Sequence, residues 1–156
     1  VSTAGIANKI PEAANEIGTY LALSLHAPTD DIREMIMPIN KKFKIKELIA
    51  QCKYYSSVVK EKITLEYVML RGINDSTECA RQLVKLMAQF PCKVNLIEFN
   101  PWPGVQYLPT ERSEMEKFGK IIQEAGYVAT IRRSRGQDIL GACGQLRTKS
   151  QKIKQQ

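Results

Sequence analysis

Cys143 is the residue of this chain whose surroundings most favour covalent chemistry. It lies in the stretch RRSRGQDILGACGQL (132–146), between Ala142 and Gly144 and shortly after a group of arginines. Small neighbours let another molecule approach the sulfur closely, and arginines that fold nearby would favour the reactive thiolate. No histidine or second cysteine stands within a few residues to act as a base, a metal partner or a redox partner. The residue is therefore either a small packed thiol or a nucleophile whose reaction is completed from elsewhere, and local sequence alone favours the packed thiol.

The other three cysteines offer no metal or redox pair. Cys52, Cys79 and Cys92 are widely spaced, with no CxxC and no cysteine–histidine cluster. A zinc or iron–sulfur site made by this chain alone is therefore not expected. Because a reducing compartment disfavours disulfides, we predict that these three are ordinary thiols of the core or the surface.

Polar side chains follow several apolar segments at the points where strands should end. They are Ser2, Thr3, Ser24, His26, Asn74, Asp75, Asn100, Arg133, Ser134 and Arg135. Ligands of parallel sheets gather at the carboxyl ends of the strands, and this set suits a polar, phosphate-like or nucleotide-like ligand. The only histidine, His26, is more often a hydrogen-bonded structural residue than a base at such a position. The sequence has no paired-carboxylate constellation and no phosphate-binding glycine loop.

The segment FNPWPG (99–104) leaves two interpretations open. Asn100 precedes Pro101, which favours an extended backbone and projects the amide from the strand end, where it could bind a ligand. An asparagine that ends a strand and satisfies its own turn is the alternative, and spacing alone favours it. Likewise Phe99, Trp102 and Tyr107 could stack on a base or close the core, and we favour the core.

The elements that must position these residues alternate between strand and helix. Besides the strand end at 1–3, strands are predicted at 20–26, 62–72, 92–104 and 127–134, and helices at 29–36, 45–59, 75–90, 111–126 and, as a short turn, 138–143. Thr29 or Asp30 would cap the first helix, and Asp75 with Glu78 forms a capping-box pattern for the third. This rhythm predicts an α/β fold built from βαβ units with four or five mainly parallel strands. The 156 residues form one domain, but a closed eight-unit barrel needs roughly 250, so the chain can supply only part of a barrel or wound sheet.

The composition argues against a membrane protein, and the order of the residues places most of the positive charge near the C-terminal end. Hydrophobic residues make up 44% and charged residues 25% of the chain, as in soluble globular proteins. No apolar run approaches the roughly 18 residues of a membrane span, no signal peptide is recognisable, and a cytosolic protein is expected. Nearly all of the net charge of +7 follows Tyr127. A basic end is typical of a surface that binds a polyanion, although the last ten residues could equally be a solvated tail.

Five motifs stand in a specific order along the chain. They are SLHAP (24–28), MPINKKF (37–43), EYVMLRGIND (66–75), VNLIEFNPWPG (94–104) and RRSRGQDILGACGQL (132–146). In this order they closely resemble the RlmN family, radical SAM enzymes that methylate carbon 2 of adenine in 23S rRNA and in tRNAs. The resemblance implies that residues 1–146 are the C-terminal part of a partial (β/α) radical SAM barrel and that 147–156 are a basic, disordered tail. Since the chain starts at Val1, it is expected to be a fragment of a longer protein.

The resemblance also implies roles for individual residues. Cys143 in GACGQL matches the cysteine that becomes S-methylated in the family. Contacts with S-adenosylmethionine (SAM) are implied for a set that comprises Ser2, Ser24, Leu25, His26 and Asn100. Glu98 stands where the family usually has proline, so a local backbone change is expected there.

The chemistry that the family implies answers why Cys143 needs no local base. One SAM methylates the cysteine. A second SAM, reduced by a 4Fe-4S cluster, yields a 5′-deoxyadenosyl radical that takes a hydrogen atom from the S-methyl group. The methylene radical adds to adenine, and a second cysteine resolves the covalent RNA–enzyme adduct. The CxxxCxxC ligands of the cluster and that second cysteine are not found in this chain.

The implied partners are 23S rRNA, tRNA and an electron donor such as flavodoxin. No membrane association is implied, and the full-length protein is expected to be a monomer.

Two alternatives remain open. A sister radical SAM enzyme methylates carbon 8 of the same rRNA adenine, confers antibiotic resistance and shares the methyl-carrying cysteine. A non-catalytic RNA-binding remnant would merely pack Cys143. The chain alone is expected to bind no cluster, to lack methyltransferase activity and to expose a sheet edge prone to aggregation.

Overall fold

The fold is known from a computed structural model that describes the backbone of residues 2–3 and the whole of residues 21–133. The strands are β1 (Ser2–Thr3), β2 (Ala22–Ser24), β3 (Ile63–Met69), β4 (Cys92–Glu98) and β5 (Ala129–Arg132). The helices are α1 (Asp30–Ile36), α2 (Ile45–Val58), α3 (Thr77–Met87) and α4 (Arg112–Glu124), with a 3-10 helix at Pro38–Lys41. The turn predicted at 138–143 and the tail predicted at 147–156 lie outside the described residues.

The five strands form one parallel sheet whose spatial order follows the order of the sequence, β1-β2-β3-β4-β5. The predicted parallel α/β sheet is therefore confirmed. A doubly wound sheet would reverse its strand order at a switch point, whereas an unbroken order is what successive units of a (β/α) barrel produce. The arrangement therefore agrees with part of a barrel and not with an open, doubly wound sheet.

The main apolar core lies between one face of the sheet and helices α2, α3 and α4. Alternate strand residues contribute to it, because successive side chains of a strand point to opposite faces: Leu21, Leu23, Leu25, Ile63, Leu65, Tyr67, Met69, Cys92, Val94, Leu96 and Ala129. The helix predicted at 111–126 is confirmed as α4, and it buries Met115, Phe118 and Ile122, with Ile121 packed against them.

A smaller apolar cluster lies at the carboxyl ends of β3 and β4. Phe99 and Tyr107 are buried in it, and Trp102 packs edge-on against Phe99 with ring centroids 5.6 Å apart. The packing interpretation of these aromatic residues is therefore confirmed. Glu98 is the last residue of β4 and lies in register with Met69 of β3, so the strand is regular up to this position.

The cap predicted for α3 is wrong. Ser76 precedes the helix, and its hydroxyl accepts a hydrogen bond from the backbone N–H of Cys79. The carboxylate of Asp75 instead accepts hydrogen bonds from the Gly72 backbone N–H (3.0 Å) and the Thr110 hydroxyl (2.8 Å). Gly72 has a φ of 73°, a conformation that glycine adopts without strain. Asp75 therefore fastens the β3–α3 loop to the segment before α4. For α1, Thr29 and Asp30 were the two predicted N-cap residues. Thr29 occupies the N-cap position, but its side chain makes no capping hydrogen bond.

No helix among residues 21–133 is both long enough and apolar enough to cross a lipid bilayer.

Cys52 and Cys92 should react only slowly with alkylating reagents in the folded protein. Both thiols are buried, as is Cys79, and burial raises the pKa of Cys52 and of Cys92 to about 12. The thiolate is the reactive form, so below that pKa the alkylation rate should rise about tenfold for each pH unit. The same shift affects stability. Between about pH 9, the ordinary thiol pKa, and about pH 12, the folded protein keeps a thiol proton that the unfolded chain has lost. The free energy of unfolding should therefore fall as pH rises through this range.

Differential alkylation followed by mass spectrometry, between about pH 7 and pH 10, measures these rates. A reduced peptide with the sequence around Cys52 is the control, and its rate should level off near the ordinary thiol pKa. A rate for folded Cys52 or Cys92 that levels off near pH 9 as well would contradict the prediction.

Candidate ligand-binding site at the carboxyl ends of the strands

The sheet face opposite α2, α3 and α4 carries polar side chains, which the sequence interpretation missed. The strand register places Ser24, Glu66, Asn95 and Thr130 in one row across four neighbouring strands. The Thr130 hydroxyl donates a hydrogen bond to the Asn95 side-chain oxygen. Parallel strands are usually covered by apolar residues on both faces, so a polar row indicates a face that meets water or a polar ligand. The alternation in ITLEYVM and CKVNLIE is the signal that could have revealed it.

Strand β2 ends at an unusual turn around His26. This residue has a φ of 59°, which is uncommon for a residue other than glycine. Thr64 N–H donates to the Leu21 carbonyl, so an unbroken ladder would bring Val68 N–H to the carbonyl of Leu25. Val68 N–H instead donates to Nδ1 of the His26 ring (2.9 Å). The imidazole therefore replaces a strand carbonyl at the end of the ladder.

The position of the ring decides what His26 can do. Its side chain is buried, and Nδ1 accepts a hydrogen bond, so the neutral ring carries its proton on Nε2. An imidazole in this state cannot take a proton at Nδ1 without losing the bond to Val68. The structural interpretation of His26 is favoured over a general base.

We expect ¹⁵N NMR of the folded protein to show His26 with an unprotonated Nδ1 and a protonated Nε2 at neutral pH. The bond from Val68 N–H selects this tautomer. The signals can be assigned by their disappearance in His26→Gln, and the same protein in urea is the control. A folded-state spectrum with the proton on Nδ1 would contradict the geometry.

Asn74 joins the ends of β2 and β3. Its Nδ2 donates to the carbonyls of His26 (2.7 Å) and Val68 (2.8 Å), and its Oδ1 accepts from Leu70 N–H (2.8 Å). The Asn74 backbone carbonyl accepts from the Tyr67 hydroxyl at 2.6 Å. Asn74 is fully buried. It was predicted to face a ligand, and this is wrong, because the protein itself uses both of its amide hydrogens and its side-chain oxygen.

Arg33 of α1 is a second buried polar residue at this edge, and its exposed fraction is 0%. Its Nε donates to the Leu25 carbonyl and its Nη2 to the Ser24 carbonyl, both at 3.0 Å. Its Nη1 donates to Oδ1 of Asn40 at 3.1 Å. Burial lowers the pKa of the Arg33 guanidinium to about 10, and the charge of Asp30 opposes this shift.

Asn40 connects Arg33 to the start of α2. Its Nδ2 donates to Oδ1 of Asp30 (3.0 Å), and the same oxygen accepts from the Ile45 backbone N–H (2.9 Å). Sequence reasoning missed Arg33, Asn40 and Asp30 as a network. The only local signal is that Arg33 lies between the motifs SLHAP and MPINKKF and that Asn40 lies within the second motif.

The predicted SAM contacts are brought to the same edge of the sheet but not into one cluster. Ser24, Leu25 and His26 are buried at the end of β2, and the backbone of Ser2 in β1 lies in register with Ala22. Asn100 is exposed in the loop that follows β4, two strands away from β2. Cys143 lies outside the described residues.

The described residues do not fit an iron–sulfur cluster. Within 21–133 no three histidine, cysteine, aspartate or glutamate side chains come together where they could hold a metal ion. Cys52, Cys79 and Cys92 are buried in the core between the sheet and the helices. The residues 21–133 therefore do not form a cluster site by themselves.

Solved structures define the class of the fold. A radical SAM methyltransferase from Sphaerobacter thermophilus matches 93% of this chain and 43% of its own, with a TM-score of 0.85 and 41% identity. A domain of pyruvate-formate lyase-activating enzyme from Bacteroides vulgatus matches 85% of this chain and 79% of its own, with a TM-score of 0.68. At 12% identity, this second likeness concerns the fold alone. The chain thus has the α/β fold of part of a radical SAM methyltransferase.

Sequence relatives define the family. Proteins named dual-specificity RNA methyltransferase RlmN are 50% identical over 153 residues in Granulibacter bethesdensis and 50% identical over 155 residues in Agrobacterium fabrum. The matches cover 97% and 99% of this chain but 38% of each relative. No family model matches the chain. It belongs to the RlmN family and spans about 38% of the length of these curated relatives.

Proposed function

We propose that this chain is part of a radical SAM methyltransferase that methylates carbon 2 of adenine in 23S rRNA and in tRNAs. The observation that carries the proposal is the 50% identity to RlmN proteins over 97% of the chain. Because the chain spans 38% of that relative, the activity belongs to the longer protein. A cytoplasmic location and an electron donor such as flavodoxin are parts of the same proposal.

Cys143 is the methyl carrier in this proposal. Carbon 2 of adenine is not nucleophilic, so it cannot displace a methyl group from SAM directly. The Cys143 thiolate is nucleophilic and can displace the methyl group from SAM. The methyl–sulfur bond of the sulfonium breaks as the new bond from the methyl group to the Cys143 sulfur forms, and S-adenosylhomocysteine leaves. The sequence GACG leaves room around the sulfur, and the arginines at 132, 133 and 135 would favour the thiolate if they fold near it.

Ser2, Ser24, Leu25, His26 and Asn100 are proposed to form the SAM site. Hydrogen bonds fix the backbone of 24–26, while the exposed amide of Asn100 can reach a ligand. The polar row that includes Glu66 and Asn95 fits the hydroxyl and amino groups of a nucleoside. A 4Fe-4S cluster, which would supply the electron for radical formation, would be bound by residues outside this chain.

The basic end of the chain supports an RNA substrate. Arg132 and Arg133 are exposed at the end of β5, and most of the excess positive charge lies in this part of the sequence. Contacts between such side chains and phosphates provide much of the affinity for nucleic acid.

The product of the full-length protein tests the proposal. The reconstituted protein would be incubated with SAM, a reductant and a 23S rRNA fragment, and the digested nucleosides analysed by mass spectrometry against synthetic standards. 2-Methyladenosine supports the proposal, and a fragment with guanosine at the target position is the control. 8-Methyladenosine would assign the chain to the sister activity, and no methylated adenosine would favour a non-catalytic remnant.

A further inference from the structure

We propose that Arg33 is a positioning residue that holds the Ser24–Leu25 backbone in the conformation that binds SAM. The inference rests on the proposed function, because it takes the segment 24–26 as part of the SAM site. Arg33 itself need not contact SAM, since it acts through the carbonyl groups that it binds.

At the end of β2 the backbone N–H groups of Leu25 and His26 still donate to β3, but the Leu25 carbonyl lacks the sheet bond that a regular ladder would give it. The regular strand ends at Ser24, and the ladder partner expected for the Leu25 carbonyl, Val68 N–H, is bonded to the His26 ring. The guanidinium of Arg33 takes the Leu25 carbonyl and the Ser24 carbonyl instead, each at 3.0 Å. A guanidinium is planar and presents its donors in a fixed fork. Two bonds from one fork therefore fix the two carbonyls relative to each other.

Burial of the cation argues that these bonds matter. A buried charge is destabilising unless it is well compensated by hydrogen bonds, and an apolar residue of similar size often serves stability equally well. Arg33 is fully buried, with the carboxylate of Asp30 one residue beyond Asn40 in the hydrogen-bonded chain. A residue selected only to fill this space would not need five N–H donors. Holding two adjacent carbonyls and the Asn40 oxygen uses at least three of them.

The network also anchors the guanidinium to three elements. Arg33 lies in α1 and Asn40 in the 3-10 helix, and Asp30 Oδ1 accepts from the first residue of α2. A shift of the guanidinium would move the strand end directly. Because the strand end would move with the guanidinium, changes at Arg33 should be measurable as changes in SAM affinity.

Equilibrium dialysis of SAM with the cluster-reconstituted full-length protein tests the inference. Arg33→Lys retains the charge but cannot present the fork, and we expect its Kd for SAM to rise about tenfold, with a larger rise for Arg33→Met. Asn40→Ala leaves both carbonyl bonds in place and removes the anchor, so its Kd should rise less than that of Arg33→Lys. Ile122→Ala is the matched control, because it creates a cavity in the core under α4 and should lower Tm without a comparable change in Kd.

Amide hydrogen exchange without SAM provides a second readout. The amides of Leu25 and His26 donate to the Glu66 carbonyl, and they should exchange faster in Arg33→Lys but not in Ile122→Ala. An unchanged Kd in Arg33→Lys, or a rise that Ile122→Ala matches, would overturn the inference and leave the proposed function standing. If the wild-type protein bound no SAM, the proposed function would fail, and unchanged exchange at Leu25 and His26 would then show that Arg33 does not order the segment.

Discussion

Replacing Cys143 by alanine in the full-length protein should abolish the methylation of adenine while SAM binding is retained. Alanine has no sulfur to accept a methyl group, and adenine carbon 2 cannot take one from SAM by displacement. No other residue in the proposed chemistry can carry the methyl group in place of Cys143. We therefore expect the methylation rate to fall by on the order of 10³-fold or more. Nucleoside mass spectrometry measures the product, and equilibrium dialysis measures SAM binding in the same preparations.

Cys79→Ala is the matched control for this experiment. Cys79 is a buried cysteine in α3 that belongs to the apolar core, and alanine is a good helix former. The control variant should therefore keep its methylation activity. Methylation by Cys143→Ala at the wild-type rate would show that the thiol is only packed and would remove the basis of the proposed chemistry.

Replacing Asn74 by leucine should lower the free energy of unfolding by at least about 3 kcal/mol. Leucine has nearly the same size but leaves the carbonyls of His26 and Val68 and the N–H of Leu70 without their partner. A buried polar group that loses its hydrogen bond costs about 1–3 kcal/mol. Urea denaturation of wild-type and variant protein at the same pH measures the difference.

Asn95→Leu makes the same chemical change at a different position. Asn95 is half-buried on the polar face and accepts a hydrogen bond from the exposed Thr130. Water can replace this partner, so the substitution should cost about 1 kcal/mol or less. Equal losses for Asn74→Leu and Asn95→Leu would mean that the bonds at the ends of β2 and β3 contribute little to stability.

The order and type of the elements could be predicted because their signals are local. The alternation of strand and helix patterns along the sequence predicts the parallel sheet without knowledge of distant contacts. Caps and strand ends depend on competing partners. Asp75 was predicted to cap α3, but Thr110, 35 positions away, takes its carboxylate and Ser76 caps the helix instead. The strand predicted to reach His26 ends at Ser24 because the ring of His26 turns back onto Val68.

The candidate site was only partly predictable, for the same reason. The motifs from SLHAP to GACGQL resemble the RlmN family, and the relatives confirm this resemblance. The buried roles of Arg33 and Asn74 could not be inferred, because an arginine in an amphipathic helix and an asparagine before a helix usually face solvent. Their partners lie up to 48 residues away. The roles of Ser2, Asn100 and Cys143 remain predictions.

The mass of the peptide 136–147, which contains Cys143, tests the central proposal most directly. It would be taken from the full-length protein after cluster reconstitution and incubation with SAM alone, with Cys143→Ala as the control. We predict one added methyl group, located on the sulfur of Cys143 by fragmentation and absent from the control. An unmodified thiol in protein with an intact cluster and bound SAM would contradict the proposal and show that Cys143 is a packing residue.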